Sequence, residues 1–288
     1  MWWGLICALA AAVAYGLASV LQAAAARSDT SPDIDAHGLV RIVAQWRFLA
    51  GIGLDIVGFA LQLAALQVLP LFVVQAALAA SLAVTAVAAR TLGIRLGRRE
   101  WFAVGAVCFG LGLLGASASS EGSTTVGRGF QLALIGAVVL LGIAWMSIRM
   151  APRRLRAPLL GLIAGLAFGI VAISGRTIPS LRPADLLTEP ATYTAAVSGA
   201  MAMLCYAAAL QLGGVTTTTA LLVVGETVFP ALVGLLVLGD RPRPGYAVPA
   251  VCGFVLAVAA ALMLARFGEP SVPTNSTVES PPSRGSSA

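Results

Sequence analysis

Thr216–Asp240, reading TTTTALLVVGETVFPALVGLLVLGD, decides the fold class. From Thr216 to Leu238 it holds a single charge, Glu226, with Gly225 before it and Pro230 after it. A helix rises about 1.5 Å per residue, so such a run covers about 34 Å, enough to cross a hydrocarbon core of about 30 Å. A strand of that length would be out of range for a globular domain. The reading is a membrane-spanning helix that carries one carboxyl group near its middle and a helix-breaking proline one turn later.

Eight further runs of the same kind lie outside it. The candidates are residues 2–26, 48–67, 69–89, 101–118, 130–148, 158–174, 192–211, 216–238 and 246–266, numbered here as spans 1–9. The expected architecture is an all-α polytopic membrane protein of about nine helices. Composition agrees: 59% of the chain is hydrophobic, 10% is charged, and mean hydropathy is +0.92. A soluble domain is roughly a quarter charged, so a soluble enzyme, a disulfide scaffold and a disordered chain are excluded. Span 1 lacks a basic leader and outlasts a signal-peptide core, so it reads as a retained helix.

The net charge of +6 comes from arginines alone among the basic residues. They sit between apolar runs, which marks a membrane surface and not a nucleic-acid partner. The loops after spans 1, 3 and 5 carry Arg27, Arg41 and Arg47; Arg90, Arg95, Arg98 and Arg99; and Arg149, Arg153, Arg154 and Arg156. Arginine-rich loops stay cytoplasmic, which predicts an outside N-terminus and a cytoplasmic C-terminus. An Arg-rich, Lys-free, Ala-rich chain points to a GC-rich bacterial genome and hence to the inner membrane. Residues 38–47, with Arg41 and Arg47, are expected to lie along the interface. Cys7, Cys108, Cys205 and Cys252 are spread one per run and read as small core residues.

An internal repeat appears on self-comparison. Ala64-Ala65-Leu66-Gln67 ends span 2, and Ala208-Ala209-Leu210-Gln211 ends span 7. Each is followed by a nearly loop-free passage, a span, a Gly-bearing charged turn, an aromatic opener (Trp101; Tyr246) and a Gly-dotted span. Equivalent helices five spans apart must be inverted in the bilayer, the architecture of alternating-access carriers. The division is 1–118 (spans 1–4), 119–268 (spans 5–9), and a Pro/Ser-rich tail, 269–288, expected to be disordered. Gly161, Gly165 and Gly169 form a small-xxx-small stripe in span 6, suited to packing within the bundle or, alternatively, to a homodimer face.

Only Asp55 and Glu226 among the charged residues fall well inside the predicted spans. A carboxylate at the bilayer centre costs on the order of 2.5–3.5 kcal/mol on insertion scales, so such groups mark cavities, partners or ion paths. Pro230 frees a backbone carbonyl beside Glu226. The bland alternatives are a protonated structural Glu226 and an Asp55 paired with Arg47. Tyr15, Gln62, Gln75, Tyr206 and Thr218, in the run Thr216–Thr219, offer polar groups at similar depth. They read either as orienting groups in an apolar pocket or as helix–helix hydrogen bonds. No phosphate-binding Gly-rich loop with its Lys exists, and His37 is the sole histidine, so no enzyme, cofactor or nucleotide-driven mechanism is expected. The expected partners are the lipid bilayer and a small-molecule or cation substrate.

The stretch Gly225–Gly234, running through Leu238-Gly239-Asp240 to Gly245 and Gly253, resembles the end of an EamA-type repeat of the drug/metabolite transporter superfamily. The first copy, Pro70–Gly115, is similar but has Gly93-Ile94-Arg95 where the acidic turn would stand. The nine-span layout is similar to NIPA-type magnesium transporters, a resemblance that implies Asp55 and Glu226 as Mg²⁺ ligands if the two converge. The alternatives left standing are a proton-coupled exporter of metabolites, a flippase for lipid-linked intermediates, and a non-transporting membrane scaffold.

Overall fold

A computed structural model of the chain describes residues 2–28, 45–88, 90, 97–119, 126–178, 180, 182–212 and 215–267. Among these residues there are helices and no strand, and nine helical stretches are long and apolar enough to cross a membrane. They are Trp2–Ser28 (span 1), Trp46–Leu66 (span 2), Leu71–Ala79 with Ser81–Ala88 (span 3), Arg98–Ser117 (span 4) and Arg128–Ser147 (span 5). Then follow Arg153–Thr177 (span 6), Pro190–Gln211 (span 7), Val215–Val233 continued by a π turn at Gly234–Leu238 (span 8), and Ala247–Phe267 (span 9). A short helix, Pro183–Thr188, joins spans 6 and 7. The chain is an all-α polytopic membrane protein. Most of the interfacial segment 38–47 and the tail 269–288 lie outside the described residues, although Trp46 and Arg47 already belong to the first turn of span 2.

The burial pattern is that of a bundle in lipid. Along span 1 the large residues Ile6, Leu9, Val13 and Leu17 face outward, while Ala8, Ala11, Ala12 and Ala18 are buried against other helices. Lipid tails are as apolar as leucine, so helices associate by close packing of small residues and leave their bulky side chains to the bilayer. The four cysteines divide between the two environments. Cys108 and Cys252 face outward, Cys7 is half-buried and Cys205 is buried, which corrects the expectation that all four are core residues.

Helix contacts recur in both halves. Span 1 packs on span 2 as span 6 packs on span 7, and span 1 meets span 3 as span 6 meets span 8. Spans 3 and 8 touch each other, and so do spans 4 and 9. At the span 4–span 9 crossing, a Cβ on Gly110 would lie 2.8 Å from the Gly253 carbonyl oxygen, and a Cβ on Gly253 would lie 2.8 Å from that of Gly110. The approach requires glycine on both sides. The span 6 stripe is used within the chain: Gly161 fits against Thr218, Gly165 against Leu222, and Gly169 against Phe229 and Pro230, all on span 8. Span 6 is the most enclosed helix and span 5 the least.

Two breaks sit at the span 3–span 8 crossing. Span 3 begins at Pro70, runs fully buried from Leu71 to Ala80, and relaxes its hydrogen bonding at Ala80 before resuming at Ser81. Span 8 carries Pro230 and ends in the π turn, which Gly239 closes in the left-handed region at φ 78°. Breaks of this kind are tolerated at membrane depth where other helices re-satisfy the freed backbone groups.

Candidate functional site

Glu226 lies near the middle of span 8, twelve residues before its end at Leu238, which is about 18 Å along the axis. Its side chain is half-buried and makes no hydrogen bond or ion pair with the described residues. Pro230 has no N–H, so the Glu226 carbonyl, four residues earlier, loses its intrahelical donor. Gln75 of span 3 supplies the replacement: its Nε2 donates to the Glu226 carbonyl at 2.5 Å. That bond fixes the orientation of the amide. Gln75 is 3% exposed, and its Oε1 is enclosed without a hydrogen-bond partner.

Spans 1 and 2 supply a second polar group of residues. The Tyr15 hydroxyl donates to Gln62 Oε1 at 2.9 Å, and Gln22 Nε2 donates to Asp55 Oδ2 at 2.6 Å. Gly58 of span 2 lies against the Tyr15 ring, leaving it room. Asp55 is therefore held by Gln22, and Arg47 instead stacks over Trp46, 5.8 Å from the ring centroid.

The structure thus joins Gln75 to the Glu226 backbone, Tyr15 to Gln62, and Asp55 to Gln22. It does not bring in Tyr206, which packs half-buried against a separate core of spans 6–8 that includes Cys205 and Leu222. Thr218 is fully buried but stands eight residues before Glu226, about 12 Å along span 8. Its hydroxyl oxygen has no hydrogen-bond partner. Among the described residues no cluster of three or more His, Cys, Asp or Glu side chains is placed to hold a metal ion.

One polar network was not expected from the sequence. Arg176, two residues beyond the expected end of span 6 at 174, is in the last full turn of that helix and is 0% exposed. Its Nη2 meets Asp240 Oδ1 at 3.2 Å, and its Nη1 donates to the Leu66 carbonyl at 2.8 Å. Asp240, 1% exposed, uses Oδ2 to accept the Leu71 N–H at 2.6 Å, capping the start of span 3. Gln67 Nε2 donates to the Ile178 carbonyl nearby at 3.0 Å. Only the acidic residue of the Leu238-Gly239-Asp240 turn hinted at this group of contacts.

Two cavities lie between helices and are almost wholly apolar. One, of about 610 Å³, lies between spans 1, 3 and 4 and is lined by Leu5, Leu9, Val73 and Leu111 among others. The other, of about 240 Å³, lies between spans 3, 8 and 9 and is lined by Phe72, Val228 and Phe254 among others. Neither is lined by Glu226, Asp55, Tyr15, Gln62 or Gln75.

The fold defines a multi-pass helical membrane protein, with polar side chains paired inside its spans. No model of a protein family, no curated protein and no solved structure matches the chain.

Proposed function

We propose that the chain is a secondary transporter of the drug/metabolite-transporter type, moving a small solute or cation by alternating access, with Glu226 as the coupling or ligand-neutralising group. The observation that carries this reading is the Glu226 carboxyl group itself. It lies halfway along a span, half-buried, beside a proline break, without a cationic partner among the described residues. A carboxyl group kept in that position at a cost of several kcal/mol is best explained by a proton, cation or cationic group that it meets during a cycle.

The wider architecture supports the same reading. Matched helix pairs in both halves, with spans 3 and 8 and spans 4 and 9 meeting across the middle, are what two inverted repeats, 1–118 and 119–268, would make. Asp55, Tyr15, Gln62 and Gln75 are then the groups that line or orient the site. Residence in a bacterial inner membrane, with the N-terminus outside, completes the proposal, and no chemical step on the substrate is part of it. A flippase for an amphipathic or lipid-linked substrate is the second reading, favoured by the two apolar cavities between helices.

The test reconstitutes purified protein in liposomes and follows flux of a solute panel of organic cations, metabolites and Mg²⁺, first ranked by the rise in melting temperature each produces. Glu226→Gln should abolish flux of any solute the wild type moves while preserving folded yield. Undiminished flux rejects the assignment.

A further inference from the structure

We propose that Arg176 and Asp240 form a gate that closes one end of the bundle, and that the pair must part for the midplane to be reached from that side. The inference rests on the transport reading but uses different residues from those of the midplane. Four segments converge on the pair. Arg176 brings span 6, Asp240 brings the end of span 8, the Leu66 carbonyl is the last turn of span 2, and the Leu71 N–H is the first turn of span 3. Gln62 stands four residues before Leu66 and Gln75 four after Leu71, so the contacts lie one turn, about 6 Å along each axis, from those two amides.

Three features distinguish a gate from a simple brace. First, a buried ion pair is weak as a source of stability, since desolvation offsets most of its attraction, and its best-attested use is to register one of two arrangements. Secondly, the Leu66 carbonyl and the Leu71 N–H meet the ion pair through hydrogen bonds at helix ends. They can be exchanged for water once the ends separate, without unwinding a helix. Thirdly, Asp240 and its hydrogen-bond donor Leu71 both sit next to points of backbone give. Asp240 follows the π turn and the left-handed Gly239, and Leu71 follows the loop-free passage at Pro70. Small rotations at such positions are how packed helices switch between discrete states. Leu66, Leu69 and Leu71 are all fully buried, so the contacts are not a frayed end.

The Leu71 amide reports on the pair directly, because its hydrogen bond goes to Asp240. Hydrogen exchange of the full chain in lipid nanodiscs should find it exchanging about tenfold or more faster than amides near Ala167 and Ile170 in span 6, the mark of a local opening. Arg176→Lys keeps the charge but loses the two-armed grip. It should raise the Leu71 rate by a further tenfold or so and leave the span 6 amides unchanged. In a cysteine-free background, Gln62→Cys should then react faster with a membrane-impermeant maleimide when combined with Arg176→Lys. A Leu71 amide as slow as span 6, or Gln62→Cys labelling that the Arg176 substitution leaves unchanged, overturns the gate. Should Arg176→Lys fail to fold, the wild-type exchange rates decide alone. Loss of flux in Glu226→Gln together with a Leu71 amide as slow as span 6 removes the gate and leaves the carboxylate reading standing; the converse removes only the latter.

Discussion

The Gln75 side-chain amide donates at 2.5 Å to the Glu226 backbone carbonyl, the acceptor that Pro230 deprives of its own helical partner. A hydrogen bond thus ties the buried half of span 3 to the break in span 8.

That relationship predicts a rescue. Gln75→Leu should leave a buried carbonyl unsatisfied and lower stability by about 1–3 kcal/mol. Pro230→Ala restores an N–H four residues after Glu226, so the double variant should recover much of the loss. Unfolding in mixed detergent, analysed as a double-mutant cycle, measures the coupling. Strictly additive losses would show that the two residues do not serve the same carbonyl.

Arg176→Met or Asp240→Leu alone should each destabilise by about 3–5 kcal/mol, because each leaves the other charge buried and unpaired. Replacing both should cost much less than the sum of the two. Thermal unfolding of the two single variants and the double variant is the check.

Gly165 fits directly against Leu222 of span 8, whereas Gly136 in span 5 has no neighbour within 4 Å of an added Cβ. Gly165→Val should therefore force spans 6 and 8 apart and reduce folded yield sharply. Gly136→Val should be tolerated. Monodispersity on size-exclusion chromatography after solubilisation distinguishes the two.

Tyr15→Phe removes only the hydroxyl that joins span 1 to Gln62. Hydrogen bonds between transmembrane helices average about 0.6 kcal/mol, so the stability change should be small. A clear change in solute affinity at nearly wild-type stability would place Tyr15 in the binding site, and no change would leave it as a helix–helix contact.

The spans were legible because lipid leaves so few options: a backbone at that depth must bond to itself, and runs of sufficient length announce it. Span 8 was read as 216–238 and has an apolar core of Thr218–Leu238. The freed carbonyl at Glu226 could also be read, since proline acts at a fixed offset. Its acceptance of Gln75 could not, because which turn of span 3 crosses which turn of span 8 depends on packing between distant segments. Arg176 was hidden for a related reason. It follows the apolar run of span 6 by two residues and resembles a loop cation until Asp240, 64 residues later, is brought against it. Cys108 and Cys252 were misplaced because apolar surface points outward here. Tyr206 and Thr218 were grouped with the site on depth alone, and depth says nothing of which face a residue occupies.

The central claim is that the Glu226 carboxyl group is used during transport and is not a passive fixture of span 8. Its most direct test is flux through Glu226→Gln in proteoliposomes, using whichever solute of the ranked panel the wild type moves. The account predicts a correctly folded protein with no flux above protein-free liposomes. Flux equal to that of the wild type would contradict it.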